Sequence, residues 1–300
     1  MADSTAPHLV GVSWVDGNLM APDEGALRAN DHAIIVGDGV FETTKVINGV
    51  PFALSRHLRR LSRSARGLGL DEPGEGRIRS AVDVVLAAEP TAELLRITWS
   101  SGAGPLGSGR GDGPGTLIVS TSGGNVWPNA ERVHLVHWMR NEHGALTGLK
   151  TTSYAENVVA LATAKRAGCT EALFRNTAGM LCEGTGTNVF LVIDDQLVTP
   201  PLSSGCLAGI TRELVLELAD RDLFGSAVAG VEVRDIDPGE LLTAREAFLT
   251  SATRNVSAIS DVTGELETTF GPVSDNPVPG PVTSRVATAF DELEAQDIDP

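Results

Sequence analysis

Basic residues are scarce in this sequence. The 300 residues include 23 lysines and arginines against 39 aspartates and glutamates, which gives a formal net charge of −16 at pH 7. Nucleic acids and anionic membrane surfaces both select proteins with basic patches, so this charge argues against either as a partner. A small anionic ligand would have to be bound by a few local cationic groups, against the field of the whole protein.

Long apolar runs and metal-binding cysteine patterns are absent from the sequence as well. No apolar run approaches the length of a membrane-spanning helix. Residues 1–9 contain neither the basic region nor the apolar stretch of a signal peptide, so we predict a cytoplasmic protein. The cysteines have no metal-ligand spacing and no recognisable Cys/His arrangement, which favours reduced thiols over a catalytic thiol. They are Cys169, Cys182 and Cys206.

The order of predicted elements indicates an α+β (mixed α/β) protein of two domains. Residues 11–19 read as a hairpin with a turn at Asp16-Gly17, and residues 33–50 as an extended stretch with a turn at Asn48-Gly49. Apolar periodicity predicts helices over residues 53–68, 77–88, 153–167, 209–221 and 282–293. It predicts strands near residues 94–99, 116–121, 133–138, 171–175, 181, 188–193, 197–199 and 247–250.

Two polar stretches punctuate this order. Residues 100–114 are rich in Gly, Ser and Pro, which predicts a long mobile loop of the kind that often contacts substrate. Residues 123–128 are polar, contain glycine and end in proline, which is typical of a linker. We therefore expect an N-terminal α/β domain over residues 1–122 and a C-terminal domain over residues 129–300.

Lysine and tyrosine are rare, and two of them lie close together. Lysine occurs only at Lys45, Lys150 and Lys165, and the single tyrosine, Tyr154, follows Lys150 by four residues. Lys150 precedes a predicted helix with a capping box at residues 153–156, where the helix dipole disfavours a cation. A lysine that forms an imine must lose its proton near neutral pH, which a partly buried site can arrange. Lys150 is thus a candidate imine-forming lysine, with a surface lysine as the alternative.

A carboxylate and a helix start provide further candidates. Glu183 lies in a glycine-punctuated loop, where it can hydrogen-bond the protonated nitrogen of a pyridine ring or serve as an exposed turn acid. The helix that begins at Gly209 offers backbone N–H groups at Ile210 and Thr211 that can bind phosphate, although every helix start has such groups. Small hydroxyl residues at 250–253 can supply a second set of donors.

Arg60 is the candidate cation for such a phosphate. It lies on the same face of the predicted helix 53–68 as His57 and Ser64. A guanidinium there can form a bidentate contact with phosphate. The alternative is an ion pair on the surface, which suits the neighbouring Arg59 better.

In this order, these segments resemble the class IV (fold-type IV) pyridoxal-phosphate aminotransferases. That family includes branched-chain aminotransferases, D-amino-acid aminotransferases and aminodeoxychorismate lyase. The resemblance runs from about residue 14 to residue 290, nearly the whole chain. The segments that carry it are 37–42 (GDGVFE), 57–61 (HLRRL), Lys150 with Asn157, 171–173 (EAL), 183–184 (EG) with 188–190 (NVF), 199–201 (TPP) and 209–212 (GITR).

The resemblance implies two α/β domains with pyridoxal 5'-phosphate at the domain interface, in a homodimer. Lys150 would form the Schiff base and move the proton between the substrate Cα and the cofactor C4′, while Glu183 would pair with the pyridine nitrogen. Tyr154 matches the position from which branched-chain enzymes reach the phenolic oxygen. The other implied cofactor contacts are Arg60, Thr187, Ile210, Thr211, Ala252 and Thr253.

The resemblance also implies a small amino acid and a 2-oxo acid as substrates, but departures from the family patterns leave three reactions open. Residues 104–110 (GPLGSGR) lack the Arg-x-His pair of the best-known D-amino-acid aminotransferases, and Ile35 and Leu94 replace tyrosines of the branched-chain enzymes. Residues 99–102 (WSSG) lack the arginine usual in aminodeoxychorismate lyases, which favours transamination. Among amino donors, D-amino acids are favoured over branched L-amino acids. A non-catalytic carrier is disfavoured because the lysine, the glutamate and the phosphate donors are all present. The candidate substrate contacts are Phe41, Arg96, Arg110, Arg140 and Arg254.

Overall fold

A computed structural model of the chain describes residues 11–21, 24, 27–221, 224–270 and 278–300, apart from the side chain of Ser226. The expectation about a signal peptide in residues 1–9 lies outside the described residues. Contacts divide the chain into two compact units. Unit 1 comprises Met1–Asn125, Leu149–Ser153 and Asp299, and unit 2 comprises Val126–Gly148, Tyr154–Ile298 and Pro300. The segment with Lys150 thus packs with unit 1, although the predicted boundary places it in the C-terminal domain.

Unit 1 is an antiparallel sheet with two long helices. Its elements are β1 Ser13–Val15, β2 Asn18–Met20, α1 His32–Ile35, β3 Gly39–Ile47, β4 Val50–Pro51, α2 Leu54–Leu68, α3 Glu75–Ala88, β5 Leu94–Ser100 and β6 Thr116–Ser122. The strand order is β2-β1-β6-β5-β3-β4. Asp16-Gly17 and Asn48-Gly49 turn the chain with positive φ angles at all four residues. Both predicted hairpin turns are confirmed.

The core of unit 1 lies between one sheet face and the helices α2 and α3. Alternate residues of a strand point to opposite faces, so Val40 and Val46 of β3 reach this core. Leu95 and Ile97 of β5 do the same, and Leu61 of α2 packs against them. Phe41, between core-facing neighbours, lies on the opposite face of the sheet.

Three ionisable side chains of β3 and α2 form a buried cluster beside this core. Glu42 of β3 accepts hydrogen bonds from Arg60 Nε at 2.7 Å and Nη2 at 2.6 Å, and its Oε2 lies 2.7 Å from His57 Nδ1. Burial alone would raise the pKa of Glu42. The Arg60 charge and the hydrogen bonds from Arg60 and His57 outweigh this effect and lower the pKa to about 2. Burial lowers the pKa of His57, more than Glu42 raises it. The cluster is therefore an ionised carboxylate between a guanidinium and a neutral imidazole.

Unit 2 is a larger mixed sheet. Its strands are β7 Glu131–Arg140, β8 Glu171–Asn176, β9 Leu181–Gly184, β10 Asn188–Ile193, β11 Gln196–Thr199, β12 Gly230–Val233, β13 Glu246–Ser251, β14 Asn255–Gly264 and β15 Thr268–Thr269. Its helices are α4 Ala155–Arg166, α5 Ile210–Asp220 and α6 Pro281–Gln296, with 3₁₀ turns at Leu202–Ser204, Gly225–Ala227 and Pro238–Leu242.

The unit 2 strands run in the order β12-β11-β10-β13-β14-β7-β8-β9, with β15 on β14. The pairs β11/β12, β7/β14 and β7/β8 are parallel. Phe190 of β10 and Phe248 of β13 stack across the sheet at 5.0 Å between ring centroids, and both are fully buried. With helices and strands in both units, the predicted α+β class is confirmed. None of the helices in the described part of the chain has the length and apolar character needed to cross a membrane.

Three local predictions were wrong. The extended stretch predicted from residue 33 begins instead as helix α1, because Asp31 caps it by accepting a hydrogen bond from Ala33 N. Helix α4 begins at Ala155 without the predicted capping box, and the Ser153 hydroxyl donates to Gly37 O. Strand β14 was missed altogether, as were the short strands β12 and β15.

The buried cluster predicts a pH-dependent stability. We expect the free energy of unfolding to fall as the pH drops below about 6.5, because the unfolded chain then binds a proton at His57 that the folded chain does not. One such proton contributes at most about 1.4 kcal/mol per pH unit. Glu42 causes a second fall in the free energy of unfolding as the pH drops from about 4.5 towards 2, because the unfolded chain protonates this carboxylate before the folded chain does. Urea unfolding between pH 8 and 5 should give a flatter slope for His57→Gln than for the unmodified protein.

The matched control is His143→Gln, since the His143 side chain is 83% exposed. This variant should keep the original pH slope. Equal slopes for His57→Gln and the unmodified protein would contradict the assignment of His57 as a buried neutral group.

Candidate functional site

The backbone around Lys150 is fixed to the start of β3. Phe41 N donates to Lys150 O at 3.0 Å, and Thr152 N donates to Gly39 O at 2.8 Å. Lys150 N donates to Ser64 Oγ of α2 at 3.1 Å. The segment therefore adds to β3 like a short antiparallel strand, which leaves the Lys150 main chain little freedom.

Two glycines allow this close approach. A Cβ at Gly37 would lie 2.6 Å from Ser153 Oγ, and Gly37 has φ +70°. A Cβ at Gly39 would lie 2.9 Å from Trp99 O and 3.1 Å from Thr152 Oγ1. The Gly-Asp-Gly motif at residues 37–39 is thus explained by the docking of the lysine segment.

The side chain of Lys150 lies against Phe41. Its Nζ is 4.4 Å from the centroid of the Phe41 ring, and Arg96 Cζ is 3.8 Å from the same centroid. Phe41 is 5% exposed, Lys150 is half-buried and Arg96 is exposed. The amine of Lys150 and the guanidinium of Arg96 therefore both lie next to one buried aromatic ring of unit 1.

Arg60 and Arg110 are both bound to carboxylates in unit 1. Arg60 is 5% exposed and holds Glu42 through two of its nitrogens. Arg110 donates to Asp38 through Nε and Nη2, each at 2.7 Å, and to the carbonyls of Leu68 and Gly69. These contacts of Arg110 fasten the loop after β5 to the end of α2.

Glu183 of unit 2 lies at the end of β9. Its Oε2 accepts a hydrogen bond from Leu207 N at 2.8 Å, and its Oε1 lies 3.4 Å from Arg140 Nε. The carboxylate is 13% exposed. The sequence predicts a loop at Glu183, but the structure places it on a strand, next to Leu207 N and Arg140.

The residues after Glu183 are held by a buried carboxylate. Glu171 Oε1 accepts hydrogen bonds from the backbone and hydroxyl of Thr185, and Oε2 accepts one from Thr187 Oγ1 at 3.4 Å. Asn157 Nδ2 donates to Thr185 O at 2.5 Å. Thr187, a predicted cofactor contact, is therefore held within this network.

Arg254 belongs to the same network. Its Nη2 lies 3.3 Å from Glu171 Oε2 and its Nη1 lies 3.6 Å from Glu131 Oε1. Its guanidinium also lies 4.0 Å from the ring centroid of Trp127, and only 7% of its side chain is exposed. These contacts bury Arg254 among side chains of unit 2, so a role as substrate ligand would have to compete with two ion pairs.

The start of α5 has the chemistry of an anion site. Gly209, the N-cap, has no side chain with which to cap the N–H groups of Ile210 and Thr211. A Cβ at Gly209 would lie 1.9 Å from Asn188 Oδ1, so any side chain here would displace that of Asn188. In the same unit, Thr250 Oγ1 is buried and has no hydrogen-bond partner among the described residues. Uncapped amides and an unpaired hydroxyl fit a phosphate.

The other predicted contacts are placed as follows. Ala252 and Thr253 lie half-buried in the turn between β13 and β14, where Thr253 O accepts a hydrogen bond from Trp127 Nε1 at 2.9 Å. Tyr154 is half-buried at the N-cap of α4. Their contacts with a cofactor stay predictions.

Sequence reasoning missed the acidic partners of the candidate arginines. Glu42, Glu131 and Glu171 each lie in a strand and are at most 1% exposed. A carboxylate buried in a strand needs hydrogen bonds or a cation, so each of these positions signalled a partner elsewhere. A glutamate within a predicted strand could therefore have identified Arg60 and Arg254 as partners of buried carboxylates.

Comparisons with known proteins agree with this chemistry. The family model described as amino-transferase class IV matches residues 39–262. A relative from Mycobacterium tuberculosis, named bifunctional aminodeoxychorismate lyase / D-amino acid transaminase, is 30% identical over 257 residues, 75% of this chain and 83% of that protein.

Solved structures are similar over almost the whole chain. A branched-chain aminotransferase from Thermoproteus uzoniensis with norvaline superposes with a TM-score of 0.81 at 26% identity, covering 94% of each chain. A hypothetical aminotransferase from Mycobacterium tuberculosis, in a form bound to pyridoxal phosphate, gives a TM-score of 0.76 at 26% identity, covering 94% of this chain and 99% of that one. The chain has the fold of the fold-type IV enzymes, with pyridoxal phosphate as its cofactor, and it belongs to the class IV aminotransferase family.

Proposed function

We propose that the protein transfers amino groups between a small amino acid and a 2-oxo acid, with a D-amino acid as the favoured donor. Lys150 forms the Schiff base, and Arg96 binds the substrate carboxylate. The proposal includes a cytoplasmic homodimer, as expected from the family resemblance and from the acidic, cysteine-poor composition.

One observation carries this proposal: Lys150 Nζ and Arg96 Cζ lie within 4.4 Å and 3.8 Å of the centroid of the same Phe41 ring. An amino acid presents its carboxylate only two bonds from the nitrogen that is transferred. A guanidinium near the reactive amine is therefore well placed to orient the substrate. Arg110 and Arg254 are less suited, because each already binds carboxylates of the protein.

The remaining residues have separate roles in binding and proton transfer. Pyridoxal phosphate, when bound, supplies an aldehyde for the imine and a ring that accepts electrons. Lys150 Nζ would accept a proton from the substrate Cα and return it at C4′. Glu183 would accept a hydrogen bond from the ring nitrogen. The Ile210 and Thr211 amides, with Thr253, would bind the phosphate end. Thr187 and Ala252 would be further cofactor contacts, and Tyr154 would reach the phenolic oxygen.

A second candidate function is the lyase reaction, which forms 4-aminobenzoate and pyruvate from 4-amino-4-deoxychorismate. The relative from Mycobacterium tuberculosis favours keeping it, since that protein's name combines lyase and D-amino acid transaminase. The sequence at residues 99–102 favours transamination. A branched-chain L-amino-acid aminotransferase is a third candidate. It is favoured by Arg96, which the resemblance places where those enzymes keep an arginine, and by the Thermoproteus structure.

The role of Lys150 predicts a spectroscopic loss. Purified protein should show the yellow absorption band of the lysine imine, and Lys150→Ala should lack it. Amino transfer should fall at least about a thousandfold, because both the nucleophile and the general base are removed. Lys165→Ala, which changes an exposed lysine at the end of α4, is the matched control and should keep both band and rate. An intact band in Lys150→Ala would refute the assignment.

The role of Arg96 predicts a change in KM. Arg96→Gln should raise the KM for the amino acid about tenfold or more, since a hydrogen bond to a charged group contributes about 1.5–3 kcal/mol. Arg110→Gln should leave KM within about twofold but lower the unfolding temperature, because it breaks the contacts to Asp38, Leu68 and Gly69. The opposite pattern would move the carboxylate site to Arg110.

The choice of reaction is tested with three substrates. D-alanine should bleach the yellow band and yield pyruvate, whereas L-leucine and L-glutamate should leave the band in place. Bleaching only by an L-amino acid would identify a branched-chain type enzyme. Release of pyruvate from aminodeoxychorismate without any 2-oxo acid would identify the lyase, because elimination needs no amino acceptor.

A further inference from the structure

Arg140 is the last residue of β7, in register with Asn176 of the parallel strand β8. Its side chain is only 15% exposed. The guanidinium carbon lies 4.4 Å from the ring centroid of Phe174, a fully buried residue. The resemblance makes Arg140 a candidate ligand of the substrate carboxylate, but its guanidinium packs against the interior of unit 2.

Arg140 bridges Glu183 and the first turn of α4. Its Nη1 donates to Glu156 Oε2 at 2.5 Å and to Asn157 Oδ1 at 3.2 Å. Its Nε is buried, lies 3.4 Å from Glu183 Oε1 and has no hydrogen bond among the described residues. The Nε–H therefore lies near the Glu183 carboxylate and donates to no other acceptor among the described residues.

The surroundings of Glu183 make a neighbouring cation important. The thiols of Cys182 and Cys206 are buried near it, and burial together with the Glu183 charge raises the pKa of Cys206 to about 11. Neutral thiols cannot offset a negative charge. Arg140 supplies a positive charge beside Oε1, while Leu207 N fixes Oε2.

We propose that Arg140 is a positioning residue that acts through Glu183 on the ring nitrogen of the cofactor. The guanidinium is anchored by Glu156, Asn157 and Phe174, and it fixes the orientation of the Glu183 carboxylate. Arg140 touches neither substrate nor cofactor in this role. The inference rests on the proposed function, in which Glu183 pairs with that nitrogen.

The test compares two cofactors that differ only at the ring nitrogen. Full-length protein freed of cofactor is titrated with pyridoxal phosphate and with its 1-deaza analogue, in which a C–H replaces the nitrogen. The unmodified protein should bind pyridoxal phosphate about tenfold more tightly than the analogue, because only the former has a ring nitrogen for Glu183. Arg140→Gln should reduce this ratio to within about twofold, and Arg140→Lys should reduce it by less.

The matched control is Arg175→Gln. Arg175 lies in the neighbouring strand β8, opposite Met139, and pairs with Glu265 rather than with Glu183. This variant should keep the ratio of the unmodified protein even if its unfolding temperature falls. A merely structural role for Arg140 would weaken both cofactors alike and leave the ratio unchanged.

The outcomes separate this inference from the function on which it rests. An unchanged ratio in Arg140→Gln overturns the inference. If that variant does not fold, an unchanged ratio in Arg140→Met, which keeps the length of the side chain without its charge, overturns it. Equal binding of both cofactors by the unmodified protein also overturns it, because no ring-nitrogen contact then exists to be positioned. If neither cofactor gives an imine band with the unmodified protein, the proposed function itself fails.

Discussion

Burial of carboxylate side chains is the constraint on which much of this structure depends. Glu42 in unit 1 and Glu131 and Glu171 in unit 2 are at most 1% exposed, in a chain whose net charge is −16. An unpaired buried charge costs several kcal/mol, so each needs a cation or several hydrogen bonds. Arg60 and Arg254 supply the cations, and threonine and serine hydroxyls supply further hydrogen bonds.

These ion pairs divide the candidate arginines by role. An arginine locked to a buried carboxylate can stabilise a loop or orient a neighbour, but recruiting it for a substrate would break an interaction the fold needs. Arg60 and Arg254 fall in that class through Glu42 and Glu171, whereas Arg110 binds the half-buried Asp38. Arg96 differs because its guanidinium lies over the Phe41 ring, where the Lys150 amine also lies.

The fold could be predicted from the sequence where apolar residues form a pattern. Strand β10 has the predicted bounds, because its residues Asn188–Ile193 form an apolar run. Strand β14 was missed although it lies between β13 and β7, because its sequence, NVSAISDVTG, is largely polar. Its Ser257 and Ser260 bond to Glu131, so its place in the sheet depends on a partner distant in sequence. The ion pairs of Arg110 and Arg254 were not predicted either, because their partners are also distant in sequence.

The start of β3 shows how one short segment can organise a site. Gly37 and Gly39 make room for the lysine segment, and Asp38 binds Arg110. Phe41 then contacts Lys150 on one face of the sheet, while Glu42 reaches Arg60 on the other. Because successive side chains of a strand point to opposite faces, these roles hold only in one register. A shift by one residue would bury Phe41 in the core and present Glu42 to the lysine, so the apolar packing that fixes the register also fixes the chemistry.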